Sequence, residues 1–276
     1  MLRLSRTLTR LPVGTSRLVA CRPLTTVAIA QKTMWSSTNK KLAWTTLGAC
    51  LITASYLGLK QPAYAEEPGY VGTVEDPATN IVFPVFLNTD NEWKRLVGLG
   101  ARFVSFLKVN VYVVGMYMRS EDIGALQKLW KNFDKSEFLK DNQMATEFLD
   151  QPYDVSIRIV PARNTNTQHL RDGFLRLLMQ RMKEQDLTEE EERDVLQGIQ
   201  EFKKNFSSMK VKKNSEFVFT KTKEGGLKMV YEDKHWGTVD NKWIAKNFLM
   251  SYLDPKAPSS EAALLDIADG LERLLK

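Results

Sequence analysis

Arg102 lies in the run G-L-G-A-R-F-V-S-F, where apolar residues alternate. If Leu99, Ala101 and Phe103 point one way along a strand, then Gly100, Arg102 and Val104 point the other. A guanidinium so placed can reach across a cleft to an anionic or carbonyl oxygen, and bare glycines beside it leave space for a flat ligand. The other reading is a solvated arginine on an exposed sheet face. A second grouping is His169, Gly173 and Arg176, at i, i+4 and i+7 of a helical pattern. These share one helix face beside the apolar stripe. A histidine ligand for iron, a glycine admitting a porphyrin and an arginine for a propionate suit haem binding. A surface histidine without a ligand fits the same spacing. His235, beside Trp236, is the second histidine of the chain, either another ligand or a capping and packing residue.

Other chemistries find no footing. The chain has no G-x-S-x-G elbow, no H-E-x-x-H helix and no P-loop. Gly98-Leu99-Gly100 lacks a third glycine in register and runs on into strand, whereas a dinucleotide phosphate needs a helix N-terminus. Both cysteines, Cys21 and Cys50, precede residue 66, so the chain beyond has no thiolate nucleophile, disulfide or cysteine metal ligand. The acid run 189–192 reads as the start of a helix, and Glu66-Glu67 as a solvated linker.

The elements that must position these residues read as one α+β domain. Residues 80–87 form a first strand in which Pro84 marks a sheet edge or a bend, and 95–117 a long hairpin or bent pair of strands. Ser120 caps a helix to about 133, and 154–160 is an alternating strand closed by Pro161. Helices follow over 164–183, with Leu170, Phe174, Leu177, Leu178 and Met182 on one face, and from Thr188 to about 206 behind a capping-box variant. Residues 216–220 and 227–231 flank Lys223-Glu224-Gly225-Gly226 as a hairpin, with a short strand at 236–239. Helices over 242–253 and 260–275 finish the chain. Without regular βαβ alternation, this is an antiparallel α+β fold.

The first 65 residues hold nine of the 39 Lys and Arg and no acid. Such a stretch is what a mitochondrial presequence requires, because a membrane potential draws its positive charge inward. Residues 42–59 are eighteen without a charge, flanked by Lys40-Lys41 and Lys60, with Trp44 and Tyr56 near the ends. That length suffices for a membrane span, and the basic flanks favour the N-terminus on the matrix side. Ala63-Tyr64-Ala65 offers a cleavage site, so the span is either a retained anchor or a sorting signal. The organisation read is a presequence over 1–41, a transmembrane or sorting segment over 42–59, a linker over 60–74 and a folded domain over 75–276. The location expected is the mitochondrial inner membrane, with the C-terminal domain in the intermembrane space. Beyond residue 65 the remaining 30 bases face all 33 acids, a net charge of −3 that gives no nucleic-acid footprint.

Three segments carry a resemblance to a known family: GLGARFVSFLKVNVYVVGMY, RNTNTQHLRDGFLRLL and NKWIAKNFLMSYLDPKAPSSEAA. Their order and spacing resemble the chalcone-isomerase fold, and more closely its fungal branch, the altered-inheritance-of-mitochondria proteins. The resemblance implies an open-faced sandwich, a large antiparallel sheet under a layer of helices, with a cleft for a planar ligand. In the plant enzymes an arginine matching Arg102 stabilises the phenolate that attacks an enone. The threonine expected a few residues later falls on Leu107, and the tyrosine and asparagine that hold the ketone have no clear counterparts, which speaks against true chalcone isomerisation. The fungal branch is similar to proteins regarded as haem-binding, which favours haem as the planar hydrophobic ligand, at His169 with Gly173, Arg176 and Arg102. Two other readings follow from the resemblance. One is an intramolecular lyase or isomerase using Arg102 for oxyanion stabilisation, and the other a fatty-acid-binding protein with Arg102 on the carboxylate.

Overall fold

The computed structural model describes residues 72–104 and 109–276. The presequence, the 42–59 segment and Leu107 lie outside these. No helix among the described residues is long and apolar enough to cross a membrane.

The chain opens with three short strands, β1 (Thr73–Glu75), β2 (Val82–Pro84) and β3 (Phe86–Thr89). The break at Val85 follows Pro84, as the proline bend predicts, whereas β1 is an element the sequence reading left out. The long hairpin is β4 (Glu92–Val104) and β5 (Val109–Arg119). Helices α1 (Ser120–Leu129), α2 (Lys135–Phe138) and α3 (Gln143–Asp150) lead to β6 (Val155–Pro161) and β7 (Thr165–Asn166). Then come α4 (Thr167–Lys183), α5 (Glu189–Asn205), β8 (Lys210–Val211), β9 (Phe217–Lys221), β10 (Leu227–Tyr231), β11 (Lys234–Val239), α6 (Lys242–Leu253) and α7 (Glu261–Leu275). Seven strands form one antiparallel sheet in the order β11-β10-β9-β6-β5-β4-β3. The α+β sandwich expected from sequence is therefore present.

Strand alternation divides the interior in two. One sheet face, carrying Tyr112, Val114, Met116, Val155, Ile157, Phe217 and Phe219, lies under the helices in the main core. Phe174 of α4 packs there edge-on against Phe219 and Phe248 at 5.4 and 5.3 Å between ring centroids. The other face carries Leu99, Ala101, Val113, Tyr117 and Val218, and is covered by the N-terminal strap through Ile81, Phe83 and Leu87. Tyr117 donates from its hydroxyl to the carbonyl of Pro84 at 2.8 Å, and the Arg158 guanidinium stacks 4.5 Å above the Phe83 ring. Lys94 is fully buried on this strap-covered face, its Nζ donating to Ser156 Oγ at 2.9 Å, and Ser156 shares a hydrogen bond with Thr220 at 2.7 Å.

Two sequence expectations change at helix starts. Ser120 is the first residue of α1 rather than its cap; the cap position is Arg119, which grips Asp122 through Nε and Nη2 at 2.8 and 2.9 Å. The helix read from 164 begins at Thr167, because Thr165 and Asn166 pair with Val211 and Lys210 and Asn166 Oδ1 accepts from the His169 N–H.

Candidate functional site

The register of the hairpin decides what Arg102 meets. Val104 pairs with Val109 and Phe103 with Asn110; a bulge then shifts the ladder, so Arg102 stands opposite Tyr112. Arg102 Nη1 donates to the Tyr112 hydroxyl at 2.9 Å, with its guanidinium carbon 5.5 Å from the ring centroid. The Tyr112 oxygen is in turn 2.9 Å from that of Tyr252, the last residue but one of α6, in a buried hydrogen bond. Three elements thus converge on a guanidinium and two phenols.

Electrostatics fixes the charge states of Arg102 and Tyr252. Burial works against the Arg102 charge, but the oxygens of Tyr112 and Tyr252 outweigh it and hold the pKa above its ordinary value. Burial pushes the Tyr252 phenol well above its own, with Tyr112 adding to the effect and Arg102 opposing it. Arg102 therefore stays cationic and Tyr252 stays a neutral O–H. No carboxylate among the described residues pairs with Arg102, although Arg119, Arg158, Arg171 and Arg181 each have one. A half-buried fork of donors without a counter-ion is matched to a ligand oxygen bearing negative charge.

The scaffold behind Tyr252 is rigid. Asn241 caps α6, its Oδ1 accepting from the Ile244 N–H at 2.9 Å. At the other end Arg181 of α4 donates to Asp254 at 3.0 Å and to Asn247 at 2.9 Å, both acceptors buried. The Tyr112 ring lies 6.3 Å from Phe174 and the Tyr252 ring 6.2 Å from Phe248, so the phenols are held from their apolar sides.

The glycines beside Arg102 do not leave room for a flat ligand. Helix α7 fills it: a Cβ on Gly100 would come 2.4 Å from the Ala263 nitrogen, and one on Gly98 2.5 Å from the Asp266 carbonyl carbon. The same docking ties α7 to β4, with the Leu99 N–H donating to Asp266 at 2.7 Å and Ser260 Oγ to the Ala101 carbonyl at 2.7 Å. A cavity of about 580 Å³ opens between the end of β4 and the start of α7, against Ala101, Phe103, Pro258, Ala262 and Leu265. Arg102 does not line it.

The second predicted grouping lies elsewhere. His169 and Arg176 are exposed and Gly173 has no neighbouring atom within 4 Å of an added Cβ. They share a face as predicted, but it is the outer face. The buried stripe of α4 is Thr167, Leu170, Phe174, Leu178 and Met182, roughly 150° round the helix from His169. These three residues therefore look away from the sheet, and the structure does not bring them together with Arg102. His235 is also exposed, its Nε2 3.2 Å from Thr238 Oγ1 beside a cavity of about 260 Å³. No group of three or more His, Cys, Asp or Glu among the described residues could hold a metal ion.

Tyr112 and Tyr252 are the residues that sequence reasoning missed. Counting back from the Val104–Val109 pair puts Arg102 opposite Val111, and only the bulge brings Tyr112 there. Tyr252 reads as one more member of the apolar helix 242–253, with no polar pattern to mark it.

A family model described as chalcone isomerase like matches residues 92–268, which include Arg102, Tyr112 and Tyr252. The chain is 28% identical over 206 residues to altered inheritance of mitochondria protein 18, mitochondrial, of Debaryomyces hansenii, covering 67% of each chain. It is 27% identical over 226 residues to an uncharacterized protein of Schizosaccharomyces pombe, covering 78% of this chain and 83% of that one. The Saccharomyces cerevisiae altered inheritance of mitochondria protein 18 is 26% identical over 198 residues, 61% of this chain and 60% of its own. Among solved structures, an Arabidopsis thaliana fatty-acid binding protein superposes with a TM-score of 0.59 at 23% identity, over 74% of this chain and 99% of that one, a likeness of fold. With the matching segment running from the first residue of β4 into α7, this chain belongs to the chalcone isomerase-like family.

Proposed function

We propose that this chain is a mitochondrial ligand-binding protein, without true chalcone isomerase activity, that holds an apolar molecule by an acidic oxygen at Arg102. A fatty acid is the ligand class that fits best. One observation carries the reading: the half-buried guanidinium has no carboxylate partner among the described residues and is oriented by Tyr112, itself backed by Tyr252. A ligand carboxylate would complete the fork, and charge-assisted bonds in such a setting are roughly twice as strong as neutral ones. The acid-free, basic first 65 residues and the names of the yeast relatives support the mitochondrial location.

The test is mass spectrometry of lipids extracted from purified residues 66–276 beside Arg102→Ala and Arg102→Lys. The expected result is bound fatty acid in the parent, none in Arg102→Ala and a reduced load in Arg102→Lys, where a point charge replaces a fork. Equal loads in all three would sink the reading. Ring closure of a hydroxychalcone, lost in Arg102→Lys, would instead establish an intramolecular lyase at the same residue.

Haem at His169 is a second reading, favoured by the open space over Gly173 between two exposed side chains of the right kind. It predicts a Soret band that disappears in His169→Ala. No band in the parent protein, prepared with ample haem, removes it.

A further inference from the structure

We infer that the end of the sheet where β4 terminates is a docking surface for an anionic lipid bilayer. Phe103 and Val104 are 43% and 48% exposed at the end of β4, and Leu265, 43% exposed, lines the 580 Å³ cavity together with Phe103. Large apolar side chains do not gather in the open without a partner. Cations stand in the same row. Phe103 pairs with Asn110 on β5, and Ala162 donates its N–H to Val111, which carries the ladder on to Arg163. Two strand spacings, about 10 Å, therefore separate Phe103 from Arg163. Next to Arg163, the Asn164 side chain accepts from the Lys213 N–H at 2.8 Å, bringing in Lys212 and Lys213. Arg163, Lys212 and Lys213 are exposed, and none has a carboxylate partner among the described residues. This happens in a region that carries a net negative charge beyond residue 65. Of the nearby acids, Glu216 is held by Arg158, Asp76 is buried and accepts from Thr79, and Glu232 accepts from the Glu216 N–H, while Glu261 lines the cavity beside the apolar side chains.

The occupant follows from chemistry and chain length. Apolar side chains next to unpaired cations match the boundary between acyl chains and anionic headgroups. Twelve residues, 60–71, lie between the uncharged run 42–59 and Gly72, and twelve residues reach at most about 40 Å. A chain that keeps that run in a bilayer keeps the domain within reach of its surface. The strap that starts at Gly72 runs to this same end, where the Ala78 carbonyl accepts from Asn110 Nδ2 at 3.3 Å. The surface is independent of what Arg102 binds.

The experiment is flotation of residues 66–276, a compact unit with its own core, on phosphatidylcholine vesicles with and without phosphatidylglycerol. Binding is expected only with phosphatidylglycerol, and to weaken with salt. Lys212→Gln/Lys213→Gln lowers it about 30-fold, from about fivefold per lysine at an anionic surface. Phe103→Ser lowers it on the same vesicles, and a thermal unfolding midpoint unchanged from the parent in each variant is the fold control. Absence of binding to phosphatidylglycerol vesicles overturns the inference. So does binding unchanged by the lysine substitutions, or capture of soluble polyglutamate in place of vesicles.

Discussion

Arg102 and Lys94 are both withdrawn from water, on opposite faces of one strand, and the contrast between them separates function from structure. Arg102 keeps its charge because two phenol oxygens face it, and it keeps unused donors. Lys94 has a single hydroxyl partner, and burial pulls its pKa below 10.5 against the opposing influence of Asp154, Asp90 and Glu92. A lysine whose folded pKa is depressed binds fewer protons folded than unfolded, so stability rises with pH between the folded pKa and 10.5. Lys94→Met removes the amine, keeps the volume and leaves Ser156 and Thr220 bonded to each other. The variant is expected to be about 1 kcal/mol more stable at pH 7, because a desolvated cation is replaced by a packed apolar chain. That gain should shrink as the pH approaches 10.5. Urea midpoints measured across this range check it; a variant less stable at every pH would mean that the amine is well solvated by its hydroxyl neighbour.

At the scale of elements, the decisive contact is α7 on β4, and it explains what sequence could and could not show. The alternating strands, the capping box of Thr188 and Glu191 and the bounds of α6 were legible because each is written in local order. Helices α2 and α3 were not, being four and eight residues long with too few turns to display a period. The glycines of β4 were misread for a different reason: the surface that fills the space above them arrives more than 160 residues later, with Leu99 bonded to Asp266. Gly270 of α7 answers them, since a Cβ there would sit 1.7 Å from the Val97 oxygen. Gly270→Ala and Gly100→Ala must therefore push the helix off the strand, at a cost of about 3 kcal/mol or more. Gly173→Ala meets nothing and should instead gain about 0.5–1 kcal/mol from helix propensity. Chemical denaturation of the three variants reads the contrast directly. Loss of stability in Gly173→Ala would show that its open face is occupied in solution, as the haem reading requires.

For the molecule as a whole, the question is why a sheet of seven strands needs the strap at all. Its helix-covered face is closed by Phe174, Phe202 and Phe248, but the other exposes Leu99, Val113, Tyr117 and Val218 unless the segment 72–91 lies over it. The strap is fastened by its own apolar residues, Ile81, Phe83 and Leu87, and by polar ties at both ends. These are the Tyr117 bond to Pro84, the Arg158 bond to Val82 at 3.3 Å and the ion pair of Lys228 with Asp90. It also seals Lys94, whose amine would otherwise find water. Removing residues 1–65 should leave stability unchanged, because both apolar clusters and the strap are built from residues beyond 71. Removing residues 1–91 should uncover the second apolar cluster, release Lys94 from burial and leave the β4 edge unpaired over Glu92–Arg95, where β3 met it. The expected outcome is a protein that binds a hydrophobic dye and aggregates on concentration, with the Lys94-linked rise of stability with pH abolished as in Lys94→Met. A monomeric, dye-silent product from the longer truncation would show that the sheet closes on itself without the strap, and that the buried lysine does not depend on it.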